Sequence, residues 1–90
     1  MTEDAKLLLT EAAEIIHGER QSSYGNALET HQRIAAIWTV VLGQPVTAEQ
    51  VCACMIGLKL ARLANSINHR DSWLDIAGYV GVYDKMQRGE

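Results

Sequence analysis

Hydrophobic residues recur at helical spacing in four stretches of the chain, separated by short breaks that contain Gly, Asn and the single Pro. In the first stretch Leu8, Ala12, Ile15 and Ile16 fall on one helical face. No stretch shows the strict alternation of a half-buried strand. The pattern predicts an all-α fold, a compact bundle of about four helices in a single domain of residues 1–90. The predicted helices cover about 2–17, 27–42, 47 to beyond 62, and 71 or 72 to 87.

The predicted helices begin and end at residues that suit helix termini. Thr2 is a candidate N-cap for the first helix, and Gly18 is a candidate stop. Gly43 is expected to end the second helix. Thr47 and Gln50 have the spacing of a capping box, which predicts that the third helix starts at Thr47.

The third stretch is apolar on all sides, because every residue from Val51 to Leu58 is apolar or Gly. A helix of that kind is typical of a buried position, so we expect it at the centre of the fold. Cys52, Cys54 and Trp73 are interpreted as core residues. The apolar helix is either covered by its own three neighbours or packed against a second copy, and we expect a homo-oligomer.

Charge and composition narrow the function classes. Eight Lys and Arg against eleven Asp and Glu give a net charge of −3, which argues against a duplex nucleic-acid binder. No apolar run approaches the roughly 20 residues of a membrane span, so no membrane partner is expected. Met1–Thr10 carries two acidic residues and no basic start, unlike a signal peptide. We therefore expect a cytoplasmic location.

Asp71 and Asp75 are four residues apart, so a helix places both carboxylates on one face. Such a pair can share a divalent cation such as Mg²⁺. Equally, Asp71 can cap the helix while Asp75 pairs with a cation. Glu11 and Glu14 on the first helix can complete a four-carboxylate metal site or form a solvated acidic face.

Basic and aromatic residues supply candidate ligand contacts. Antiparallel packing of the last two helices would bring Lys59 and Arg62 near Asp71 and Asp75, as an internal salt-bridge cluster or as a phosphate-and-metal site. The segments before the second and fourth predicted helices contain residues that can bind phosphate, stack on a base or hydrogen-bond a ligand. Arg20 can instead stabilise a tight turn, and His69 can instead stabilise its loop. These additional candidates are Arg20, Tyr24, His69 and Arg70.

Several segments together resemble a family of small helical proteins encoded by phages and prophages, whose function is generally unassigned. His31 stands where that family more often has an aromatic residue. The resemblance implies the cytoplasm of a bacterial host. The segments that carry it include 18–21 (GERQ), 33–38 (RIAAIW), 59–63 (KLARL) and 69–79 (HRDSWLDIAGY).

The helix from Asp71 to Tyr79 also resembles the second acidic motif of the MazG-like all-α nucleotide pyrophosphohydrolases. In those oligomeric enzymes helix carboxylates hold Mg²⁺, which activates water against a nucleoside triphosphate. The resemblance gives the metal role to Asp71 and Asp75. Glu11 and Glu14 are the nearest match to the first acidic motif.

These observations favour a protein that binds a nucleotide or another phosphate-bearing small molecule, with Mg²⁺-dependent pyrophosphohydrolysis left open. One alternative is a non-catalytic oligomer that sequesters nucleotide signals made by host defence systems. Another is a structural or protein-interaction module, in which the charged residues form an internal network. The sequence leaves open whether the protein is an enzyme.

Overall fold

The computed structural model describes residues 3–18 and 26–90, and these residues form four α-helices with no strand among them. The prediction of an all-α, four-helix fold is confirmed. The helices are α1 (Glu3–His17), α2 (Ala27–Leu42), α3 (Ala48–Asn65) and α4 (Arg70–Gln87).

The predicted signals at the ends of α2 and α3 are confirmed in detail. Gly43 follows α2 in the left-handed conformation, with a φ of 69°, and its N–H donates to the carbonyl of Thr39. Gln50 N–H donates to the Thr47 hydroxyl at 3.1 Å, and Thr47 N–H donates to the Gln50 side chain at 2.9 Å. These two bonds are the capping box of α3. Thr2 lies outside the described residues.

The start of α4 differs from the prediction. The helix begins at Arg70 with His69 as the N-cap, so neither Asp71 nor Ser72 starts it. The His69 carbonyl accepts the N–H of Ser72 at 3.1 Å, and the His69 ring lies 2.7 Å from the buried Ser72 hydroxyl. Asp71 is therefore an exposed residue of the first turn and does not cap the helix.

The central helix is α4, and the prediction that the third helix is central is wrong. In the described part of the chain, α4 packs against all three other helices, α1 packs against α4 alone, and α3 packs against α2 and α4. With two neighbours, α3 buries one face and leaves the opposite apolar face exposed. The buried residues of α3 are Ala48, Val51, Cys52 and Leu63.

Two predicted core residues lie at the surface. Cys54 is exposed because it belongs to the open face of α3. Trp73 is 44% exposed, and its indole N–H donates to the carbonyl of Ile67 at 2.9 Å. The indole N–H thus has its hydrogen-bond partner in the α3–α4 connection. A Trp73 side chain in the core would need an acceptor there. No helix among the described residues is long and apolar enough to span a membrane.

Candidate functional site

An apolar cleft of about 310 Å³ lies over α4, between α1 and α2. It exists because the described parts of these two helices flank α4 without packing against each other. Small residues on α1 and α4, Ala12 and Gly78, leave space in its walls. The lining residues are Ala12, Ile15 and Ile16 of α1, Ala27, Thr30, His31 and Ile34 of α2, Met55 of α3, and Leu74, Asp75, Gly78, Tyr79 and Val82 of α4.

Asp75 connects the cleft to the predicted charged cluster. Its carboxylate accepts from the Lys59 ammonium at 3.0 Å, and the side chains of Lys59 and Asp75 are 16% and 20% exposed. The antiparallel packing of α3 and α4 thus brings these two residues together as the sequence suggested. Arg62 is exposed and makes no ion pair with any described residue. The structure places a single ion pair here, in contact with the cleft.

The other predicted carboxylates do not gather around Asp75. Glu11 pairs with Arg70 at 3.0 Å on the surface between α1 and α4, while Glu14 and Asp71 are exposed. Within residues 3–18 and 26–90, no three His, Cys, Asp or Glu side chains are grouped closely enough to hold a metal ion. The described residues therefore offer no assembled Mg²⁺ site, and the predicted ion still rests on the sequence alone.

Of the predicted site residues, Asp75 lines the cleft. His69 is engaged with Ser72 at the start of α4, and Arg70 is engaged with Glu11. Arg20 and Tyr24 lie outside the described residues.

The contribution of α2 to the site was not predicted from the sequence. His31 and Ile34 are three residues apart, so they share a helical face, and both line the cleft. The helical periodicity indicates the face of α2 that carries these residues. It does not indicate that α1 and α2 are separated by a cleft.

His31 has an unusual environment within the cleft. The residue is only 8% exposed, and its ring atom Nδ1 lies 2.8 Å from the carbonyl oxygen of Ala27. A carbonyl oxygen only accepts hydrogen bonds, so Nδ1 carries the proton and Nε2 of the neutral ring is an acceptor. Nε2 has no hydrogen-bond partner among the described residues. Among the described residues, every side-chain N or O that is fully buried has a hydrogen-bond partner. Nε2 has no partner among them, so it is not fully buried and keeps some contact with solvent.

The comparisons with known proteins place the chain among phage proteins. A family model described as a domain of unknown function (DUF6378) matches residues 7–87. The chain belongs to this family, which is one of phage proteins without an assigned activity. It is 48% identical over 84 residues to the Gene 55 protein of Mycobacterium phage L5 and 37% identical over 87 residues to the Gene 55 protein of Mycobacterium phage D29.

Each alignment covers 92% of this chain but only 54% of the L5 protein and 58% of the D29 protein. The chain therefore spans little more than half the length of these relatives. No solved structure matches the chain. The predicted resemblance to a phage family is confirmed, and the resemblance to pyrophosphohydrolases stays a prediction.

Proposed function

We propose that the protein binds a nucleotide, or another small molecule with a planar ring and a phosphate, in the cleft between α1 and α2. The observation that supports this proposal is the cleft itself, with apolar walls and a few polar groups. Ligand sites in proteins usually combine those two features.

The size and lining of the cleft favour a base inside it and phosphates outside it. A volume of about 310 Å³ is at the lower end of the range for ligand pockets, which suits one ring system. Ile15, Ile34 and Val82 provide apolar surface for the faces of a ring. Arg20 and Tyr24, which lie between α1 and α2 in the sequence, remain proposed ligand residues, together with Lys59 and Arg62.

Binding is better supported than hydrolysis. Lys59 already neutralises the Asp75 carboxylate at 3.0 Å, so a metal ion would have to displace that ammonium group. Asp71 is exposed, and Glu11 is held by Arg70. In this proposal the protein binds and releases its ligand without hydrolysing it. Hydrolysis with Mg²⁺ at Asp71 and Asp75 is the competing outcome.

A binding experiment with a matched pair of variants tests the cleft. Isothermal titration with AMP, ATP and cyclic di-AMP, with and without Mg²⁺, measures affinity. Ile34→Trp places a bulky ring in the cleft, whereas Ile37→Trp makes the same change one turn along α2 at a residue that is 61% exposed. We expect at least a tenfold loss of affinity in the first variant and none in the second.

The reaction products separate the competing functions. Recovery of the intact nucleotide supports a sequestering protein. Pyrophosphate release that needs Mg²⁺ and disappears with Asp75→Asn would establish an enzyme. If none of the nucleotides binds under either condition, the proposed function is wrong and a protein-interaction role takes its place.

The open face of α3 supports a second part of the proposal, a homo-oligomer. Leu58 and Leu60 on α3 and Val40 and Val41 near the end of α2 are more than half exposed. Exposed apolar surface on this scale is typical of an interaction site. The α3 face carries no charge between residues 51 and 58, which suits pairing with an identical face on a second copy.

The mass in solution tests this pairing. Light scattering is expected to give twice the chain mass of 9.9 kDa. Ala61→Glu, on the exposed face of α3, should return the protein to a monomer, whereas Ala13→Glu, at an exposed site on α1, should leave the dimer intact. A monomeric wild-type protein would contradict the proposed pairing.

A further inference from the structure

The polar atoms that line the cleft differ in whether the protein already satisfies them. The Asp75 carboxylate is held by Lys59, and Thr30 and Tyr79 also have partners. Nε2 of His31 has none among the described residues, although His31 is more than nine-tenths buried. An acceptor in such surroundings is usually satisfied by a ligand or by water, because leaving it unpaired costs free energy.

The orientation of the ring is set by the protein itself. The bond from Nδ1 to the Ala27 carbonyl holds the ring against its own helix and determines which nitrogen carries the proton. Nε2 is the ring nitrogen farther from Cβ, and His31 lines the cleft. The cleft therefore presents a preoriented acceptor beside apolar walls.

We propose that His31 Nε2 determines ligand specificity by accepting a hydrogen bond from an N–H group on the edge of a planar ring. This inference rests on the proposed function and deepens it. It names the ligand class as nucleotides whose base carries an N–H donor on its edge, such as the 6-amino group of adenine, and it disfavours bases without such a donor. His31 is a binding residue here and takes part in no covalent step.

A pair of ligands that differs in one amino group tests this inference. AMP and purine riboside 5′-monophosphate share every group except the 6-amino group of the base. One additional hydrogen bond, donated to Nε2, corresponds to about tenfold in affinity, so wild-type protein should prefer AMP by about that factor.

Three variants relate this preference to a single atom. Asn at position 31 reproduces the Nδ1 contact but lacks an acceptor at the Nε2 position, so His31→Asn should reduce the preference to less than twofold. His31→Gln places an amide oxygen near that position and should retain most of the preference. Gln32→Asn, at the exposed neighbouring residue, should bind both ligands as the wild type does.

Indole and 1-methylindole provide a second measurement that needs no nucleotide site. Both fit an apolar cleft, but only indole carries an N–H donor. Wild-type protein should bind indole more tightly, and His31→Asn should remove the difference. Folding of each variant is checked by circular dichroism.

The outcomes distinguish this inference from the proposed function. If nucleotides bind but AMP is not preferred, or the preference survives in His31→Asn, the specificity role is wrong and nucleotide binding stands. If no nucleotide binds but indole is preferred through His31, the proposed function is wrong and the acceptor role stands. If no nucleotide binds and indole is not preferred over 1-methylindole, both are wrong.

Discussion

The ion pair between Lys59 and Asp75 should contribute measurably to stability, unlike an ordinary surface pair. Three variants isolate its contribution: Lys59→Met, Asp75→Asn and the double substitution. Methionine keeps the apolar stem of Lys59, and asparagine keeps the shape of Asp75. A double-mutant cycle then gives the coupling free energy between the two side chains.

The expected magnitude follows from distance and burial. At 3.0 Å and an effective dielectric constant of about 20, the Coulomb attraction is about 5 kcal/mol. Removal of both charges from water offsets most of it, because the two side chains are only 16% and 20% exposed. We expect a net coupling of about 1.5 kcal/mol, above the ~0.2–1 kcal/mol of exposed pairs.

Urea denaturation at low and high salt measures this coupling. The pair between Asp84 and Arg88 provides the control, since it is equally short at 2.9 Å but both side chains are exposed. Its coupling should be about 0.3 kcal/mol and should weaken in salt. A Lys59–Asp75 coupling that is no larger than that of the control pair, or equally sensitive to salt, would contradict the expected effect of burial.

Three further predictions test the packing. Lys85→Met removes the 2.8 Å bond from the buried Lys85 ammonium to the carbonyl of Ile16, and should cost about 2 kcal/mol and speed hydrogen exchange in α1; unchanged exchange there would contradict this role. Thr47→Ala removes the α3 cap and should lower the free energy of unfolding by about 1 kcal/mol in urea titrations, and a change near zero would count against it. Burial, and then the charge of Glu49, raises the pKa of the Cys52 thiol, so iodoacetamide should label the exposed Cys54 first in protein held monomeric by Ala61→Glu; equal rates would argue against this burial.

The sequence predicted the proximity of Lys59 and Asp75 correctly, and the metal and ligand roles of these residues stay predictions. Lys59 and Asp75 were expected to meet because two helices joined by a short connection pack antiparallel, and their charges are complementary. The contributions of His31 and Ile34 were missed, because a cleft depends on which helices fail to touch. The four-residue spacing of Asp71 and Asp75 suggested a shared metal, yet it could not show that Lys59 would reach only one of them.

Local chemistry by itself determined the helices of this protein and several of their ends. Gly43 adopts a backbone conformation that few other residues tolerate, and the capping box of Thr47 uses residues only three apart, so both signals can be read along the chain. Helical periodicity likewise depends on neighbours within a few residues.

Tertiary structure decided which helix is central, which apolar faces stay open and where the cleft lies. Apolar residues on all sides allow α3 to be buried, but the number of helices that pack against it depends on how the helices are arranged. Among the described residues only α4 packs against three other helices, so α3 keeps an open face and α1 and α2 stand apart above α4. Burial is a property of that arrangement, which no single stretch of sequence contains.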